Sequence, residues 1–116
     1  MHWNITADRA KAVGLKFICR DGGKGRGGRV IGRAYLYVLR NDLHDRPYGY
    51  VEDLYVDPSQ RGAGLGAQMM EQLIKLARAH GCYKVTATSK DARKAAQALY
   101  DKLGFVRHGV EFRLDL

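Results

Sequence analysis

The stretch Arg61-Gly62-Ala63-Gly64-Leu65-Gly66 places three glycines within five residues, directly ahead of a segment with helical periodicity. Glycine lets a backbone approach a ligand with no Cβ in the way. A helix that starts there leaves its first N–H groups unpaired and presents the positive end of its dipole. Together these features make an anion site, best suited to phosphate. The dinucleotide fingerprint Gly-x-Gly-x-x-Gly and the ATPase loop ending in Gly-Lys-Ser/Thr are both absent from this stretch.

Read with its neighbours, the loop gains specificity. Arg61, Gly64 and Gly66 stand as Arg-x-x-Gly-x-Gly, with Asp57-Pro58 just before them. Ala98-Leu99-Tyr100 and then Leu103-Gly104-Phe105 follow downstream. On these two signatures the chain resembles the GNAT superfamily of acyl-CoA N-acyltransferases, from about residue 30 to residue 116. The resemblance implies acetyl-CoA as co-substrate and a small-molecule or peptide amine as acceptor. The pantetheine arm is expected to pair like an added strand along Leu54, Tyr55 and Val56. The pyrophosphate is expected on the amides of Arg61, Gly62, Ala63, Gly64, Leu65 and Gly66.

The same resemblance gives Tyr100 the role of general acid toward the coenzyme sulfur. A phenol of pKa ~10 is protonated at neutral pH and can donate to a nascent thiolate. Glu52 is the candidate base, with Asp53 the weaker one. A carboxylate of pKa ~4 is a poor base for an alkylammonium of pKa ~10 unless burial raises it or water relays the proton. Arg93 stands where many members carry an asparagine that contacts the coenzyme, and is expected beside it with Lys90 and Lys94. Each assignment has a plainer rival: a core tyrosine for Tyr100, a solvated or salt-bridged strand carboxylate for Glu52, and a solvated basic helix end for Arg93.

The elements that must position these groups follow from periodicity. Alternation predicts strands over Leu15 to Cys19, Val30 to Leu39, Tyr48 to Val56 and Tyr83 to Thr88. In the third strand it places Tyr50, Glu52, Leu54 and Val56 on one face and Val51, Asp53 and Tyr55 on the other. Leu65, Met69, Leu73, Leu76 and Ala77 form the apolar stripe of a helix from Leu65 to His80 that Gly81 stops. A second helix, capped by Ser89 or Asp91, runs through Leu103. After Gly104 the alternation of Val106, His108, Val110, Phe112, Leu114 and Leu116 with polar residues predicts a final strand or hairpin. Residues 1 to 12 read as a short strand at Trp3-Asn4-Ile5 and a turn capped by Thr6. The fold class is α+β: a mixed, mostly antiparallel sheet flanked by helices, as one domain over residues 1 to 116.

Composition sets the outer bounds. The 116 residues are 46% hydrophobic and 28% charged, in the range of a globular protein. No apolar run approaches the ~20 residues of a membrane span, and the first residues do not begin a signal peptide, so the cytoplasm is the expected compartment. Cys19 and Cys82 read as buried small apolar side chains. The net charge of +8 calls for an anionic partner, which coenzyme A meets in part. Nucleic acid is not favoured, because the basic residues are scattered and no zinc, helix-turn-helix or RNP pattern appears. The loop from Arg20 to Gly28, with five glycines and three basic residues, reads as a hairpin connection. Family members usually place a strand and two helices ahead of the glycine-loop hairpin. About a dozen residues stand there in this sequence, so an open acceptor site or one completed by a second subunit is expected. A homodimer is the expected assembly. The alternative to an enzyme is a GNAT-fold module that senses coenzyme A or acetyl-CoA and regulates a protein partner.

Overall fold

The computed structural model describes residues 2–22, 28–89 and 93–116. Three strands rich in β-branched and aromatic residues follow one another in antiparallel order: β1 (Ala12–Arg20), β2 (Val30–Leu39) and β3 (Tyr48–Val56). The short β4 (Val85–Ala87) lies parallel to β3 and completes the sheet order β1-β2-β3-β4. A parallel pair needs a crossover, and α1 (Leu65–Ala79) supplies it. The second helix, α2 (Lys94–Lys102), follows β4.

The core lies between α1 and one face of the sheet. Ala34, Leu36 and Val38 of β2 and Val51 of β3 meet Met69, Met70, Leu73 and Ala77 of α1. Burying a leucine fully, as at Leu36 and Leu73, contributes about 1.5–3 kcal/mol each. Gly32 lets the helix come close, since a Cβ there would stand 2.6 Å from the Met69 sulfur. Leu99 and Tyr100 of α2, with Leu103 and Phe105 just beyond it, extend this core. The opposite face of the sheet carries Arg33, Tyr35 and Tyr37 beside Tyr55, Glu52 and Tyr50.

The structure corrects the alternation expected of β3. Glu52 pairs with Tyr35 and Tyr55 with Arg33, so a bulge leaves Asp53 and Leu54 between two paired residues. Asp53 takes φ +54°, a left-handed conformation that aspartate tolerates better than most residues. Beyond the bulge the faces exchange. Leu54 packs on the core and Tyr55 joins Tyr50 and Glu52 on the outer face.

The other differences lie at the ends. Strand β1 is longer than expected and β4 shorter. Helix α2 begins at Lys94 with Arg93 at its N-cap and no side-chain cap bond, so Ser89 is not the cap; Lys90 and Asp91 lie outside the described residues. Residues 2–11 form neither the expected strand nor a capped turn. Residues 105–116 form no ladder with the described residues, although their alternation suits one. Alternation marks a segment as fit for pairing, but only a neighbouring backbone can make it a strand. Of the glycine-rich loop after β1, residues 23–27, including Lys24 and Arg26, lie outside the described residues.

Candidate active site

The loop between β3 and α1 is held at both ends. At its start, Asp57 Oδ1 accepts hydrogen bonds from the Ser59 amide at 3.0 Å and the Ser59 hydroxyl at 2.9 Å. Asp57 Oδ2 meets Arg29 at 3.1 Å. The turn Pro58–Gln60 follows, and the Arg61 Nε–H donates back to the Val56 carbonyl at 3.1 Å. Gly62 and Gly64 then take φ +85° and +87°, where any other residue would be strained. Nothing lies within 4 Å of where their Cβ atoms would be. This open space lies at the start of α1, where Gly64 is the N-cap, no side chain caps the amides, and the first turn holds no acidic residue. These features fit a diphosphate, as the sequence implied for Arg61 to Gly66. Gly66 serves the packing instead. A Cβ there would stand 3.3 Å from Leu99, so its absence lets α2 pack against α1.

The lock at Asp57 titrates. The Ser59 amide and hydroxyl, with Arg29 and Arg61, hold its carboxyl below the ordinary value of 3.8 despite partial desolvation. A depressed pKa contributes stability that is present above the ordinary value and lost as pH falls through the depressed one. Thermal unfolding between neutral pH and about pH 3 is therefore expected to show a smaller acid loss of Tm in Asp57→Asn than in the parent chain. Equal losses would remove this role.

Strand β4 pairs with β3 only from Gly49 to Val51. On the side away from β2, Leu54, Tyr55 and Val56 therefore have no strand beside them among the described residues. That opening is where the sequence leads the pantetheine arm to be expected. The sequence did not identify Tyr50, whose hydroxyl bonds Thr88 Oγ1 at 3.1 Å and ties β3 to the end of β4. The period-two pattern that placed Tyr50 beside Glu52 was the signal available for it.

Tyr100 lines an 880 Å³ cleft with Tyr50, Thr88 and Gln97. Burial pushes its phenol above the ordinary value of 10.0; Arg93 acts against this and Tyr50 adds to it. The structure thus brings Arg93 and Tyr50 within electrostatic reach of Tyr100. The ring is set by the end of α2. The Gly104 amide donates to the Asp101 carbonyl at 3.1 Å and the Phe105 amide to the Tyr100 carbonyl at 2.9 Å, a Schellman closure with Gly104 at φ +91°. Phe105 folds back to 5.3 Å from the Tyr100 ring centroid. This closure is the physical content of Leu103-Gly104-Phe105.

Glu52 is exposed on the outer face opposite Tyr35, and Asp53 is exposed at the bulge. Neither is buried. Cys82 is half-buried and burial raises its thiol pKa, the setting of a packing residue. Among the described residues no group of His, Cys, Asp and Glu could hold a metal, and no helix is long and apolar enough to cross a membrane.

The chain is similar to known proteins over 57–89% of its length. It is 41% identical over 90 residues to a glucosamine 6-phosphate N-acetyltransferase of Trypanosoma brucei brucei, covering 77% of this chain and 59% of that protein. It is 39% identical over 66 residues to glucosamine 6-phosphate N-acetyltransferase 1 of Oryza sativa subsp. japonica, covering 57% of this chain and 38% of that one. The chain thus spans only part of these relatives' length. The crystal structure of a Trypanosoma brucei acetyltransferase superposes with a TM-score of 0.79 at 36% identity, over 89% of this chain and 69% of that one. The family model described as Acetyltransferase (GNAT) family matches residues 3–105, a span that holds the bulged strand, the glycine turn and the Tyr100 helix, and the chain belongs to that family.

Proposed function

We propose that the chain transfers an acetyl group from acetyl-CoA to the primary amine of a small acceptor by direct attack within a ternary complex. The observation that carries this reading is the uncapped start of α1, delivered by the glycine turn from the unpaired end of β3. The amides from Arg61 to Gly66 bind the pyrophosphate, and the backbone of Leu54 to Val56 takes the pantetheine arm. Arg93 assists at the coenzyme.

The chemistry then needs a placed thioester, a neutral amine and a stabilised thiolate. Placement alone supplies roughly 7 kcal/mol or more in favourable cases. The amine nitrogen attacks the thioester carbonyl, the C–S bond breaks, and Tyr100 gives its proton to the departing sulfur. Because Glu52 is exposed, the amine proton reaches it through water. Glu52→Gln is expected to lower kcat by about 100-fold or more with acetyl-CoA affinity unchanged; full turnover would assign the proton to another route.

The relatives named for glucosamine 6-phosphate make that amino sugar the first acceptor to try. Calorimetric titration with acetyl-CoA, followed by thiol release against a panel of amines that includes it, tests the proposal. Binding with thiol release supports the enzyme. One observation favours a second reading, a coenzyme-sensing module: the candidate base is exposed. Binding without release on any amine would favour that reading, and no binding would overturn both.

A further inference from the structure

Strands β3 and β4 form a fork. They pair from Gly49 with Val85 to Val51 with Ala87, and beyond that point Leu54 to Val56 of β3 stand apart from β4. In the coenzyme site proposed for this chain, on which the present inference rests, the pantetheine arm enters from the glycine turn after Val56 and runs toward Leu54. Its thioester end then points into the crotch of the fork. Whatever the thioester carries beyond its carbonyl must fit there.

An acyl chain could continue from the crotch in the plane of the sheet, toward the core face or toward the outer face. In the plane the paired strands stand roughly 4.8 Å apart, which leaves no room between Val51 and Ala87. On the core face Val51 is 2% exposed, and Ala87, Leu99 and Tyr100 pack against the core. The outer face remains. There Tyr50, which pairs with Thr86, meets Thr88 Oγ1 with its hydroxyl at 3.1 Å. Thr88 directly follows the last residue of β4, so the bond crosses the fork where the strands part. One further step of the register would set Thr88 opposite Glu52, the candidate base. Tyr50 and Thr88 also line the same cleft as Tyr100, the proposed proton donor to the sulfur.

We propose that the Tyr50 ring, pinned by Thr88, is the wall that limits the acyl donor to short chains, so that acetyl-CoA is accepted and butyryl-CoA is excluded. The bond joins Tyr50 to the neighbouring strand and not to its own, and so holds the ring over the fork. Each methylene added beyond acetyl must push the ring aside or break its hydrogen bond, and both cost affinity.

Calorimetric titration of the whole chain with acetyl-CoA and with butyryl-CoA tests the wall. The parent chain is expected to bind butyryl-CoA at least about tenfold more weakly, the scale on which a pocket discriminates methylenes. Tyr50→Ala removes the ring and is expected to narrow that ratio by about tenfold. A residue that served only the fold would weaken both donors alike and leave the ratio where it was. Tyr50→Phe and Thr88→Val keep the bulk and remove the same bond. Each is expected to narrow the ratio by about twofold or more, and the double variant by no more than either alone. Equal affinity of the parent for the two donors, a ratio unchanged in Tyr50→Ala, or one unchanged in both Tyr50→Phe and Thr88→Val would each overturn the proposal. Because the ratio is read from binding, it decides the wall even where no amine releases thiol, the outcome that counts against the transferase. No binding of either donor would overturn the coenzyme site and the wall together.

Discussion

Replacing Gly64 with valine is expected to weaken acetyl-CoA binding by about 10- to 100-fold in calorimetric titration while leaving the chain folded. Gly64 sits at φ +87° with open space beyond it, so the penalty comes from the backbone and not from a collision. A β-branched residue held there costs roughly 1–3 kcal/mol. The chain can relieve that strain by rotating the peptide, which turns the amides of Ala63, Gly64 and Leu65 away from the space the pyrophosphate is proposed to fill. Helix α1 is anchored elsewhere, through Met69, Met70, Leu73 and Ala77, so the fold survives the local change. Gly66→Val provides the contrast. Its Cβ meets Leu99 at 3.3 Å, so it is expected to disturb the packing of α2 and lower thermal stability. Unchanged acetyl-CoA affinity in Gly64→Val would remove the anion cradle from the reading.

Tyr100→Phe is expected to lower kcat by about 100- to 10,000-fold with acetyl-CoA affinity unchanged, the signature of a group that acts on the leaving sulfur. Phenylalanine keeps the ring that packs at a tilt against Phe105, so the variant removes the hydroxyl and little else. Burial raises the phenol pKa above the ordinary 10.0. The fold therefore favours the protonated form, and the stability linked to it is fully present below the ordinary value and lost as pH rises through the raised one. A basic limb in the rate profile assigned to Tyr100 must lie above 10.0 in the free enzyme and be absent from the variant. Full turnover in Tyr100→Phe would leave Tyr100 as a core residue.

Much of what carries these expectations is local chemistry and was legible in the residues. The bounds of β2 and β3 and the start of α1 follow from periodicity together with the glycines that end the pattern. Leu103-Gly104-Phe105 marks a helix end because only glycine readily takes the φ that a Schellman closure needs. Each of these depends on neighbours within one or two turns of chain, which a sequence displays directly.

What required the tertiary structure depends on groups far apart in the chain. Strict alternation put Leu54 beside Glu52, yet the ladder with β2 takes Asp53 out of step and turns Leu54 into the core, because a bulge is a property of two strands and not of one. Asp57 reads in sequence as a strand end, and only folding brings Arg29 to its carboxylate. Glu52 is a carboxylate wherever it lies, while its exposure was set by which face of the sheet α1 covers. The alternation after Gly104 was equally clear and produced no strand, since the pattern determines which side chains share a face and the fold determines whether another backbone lies beside them.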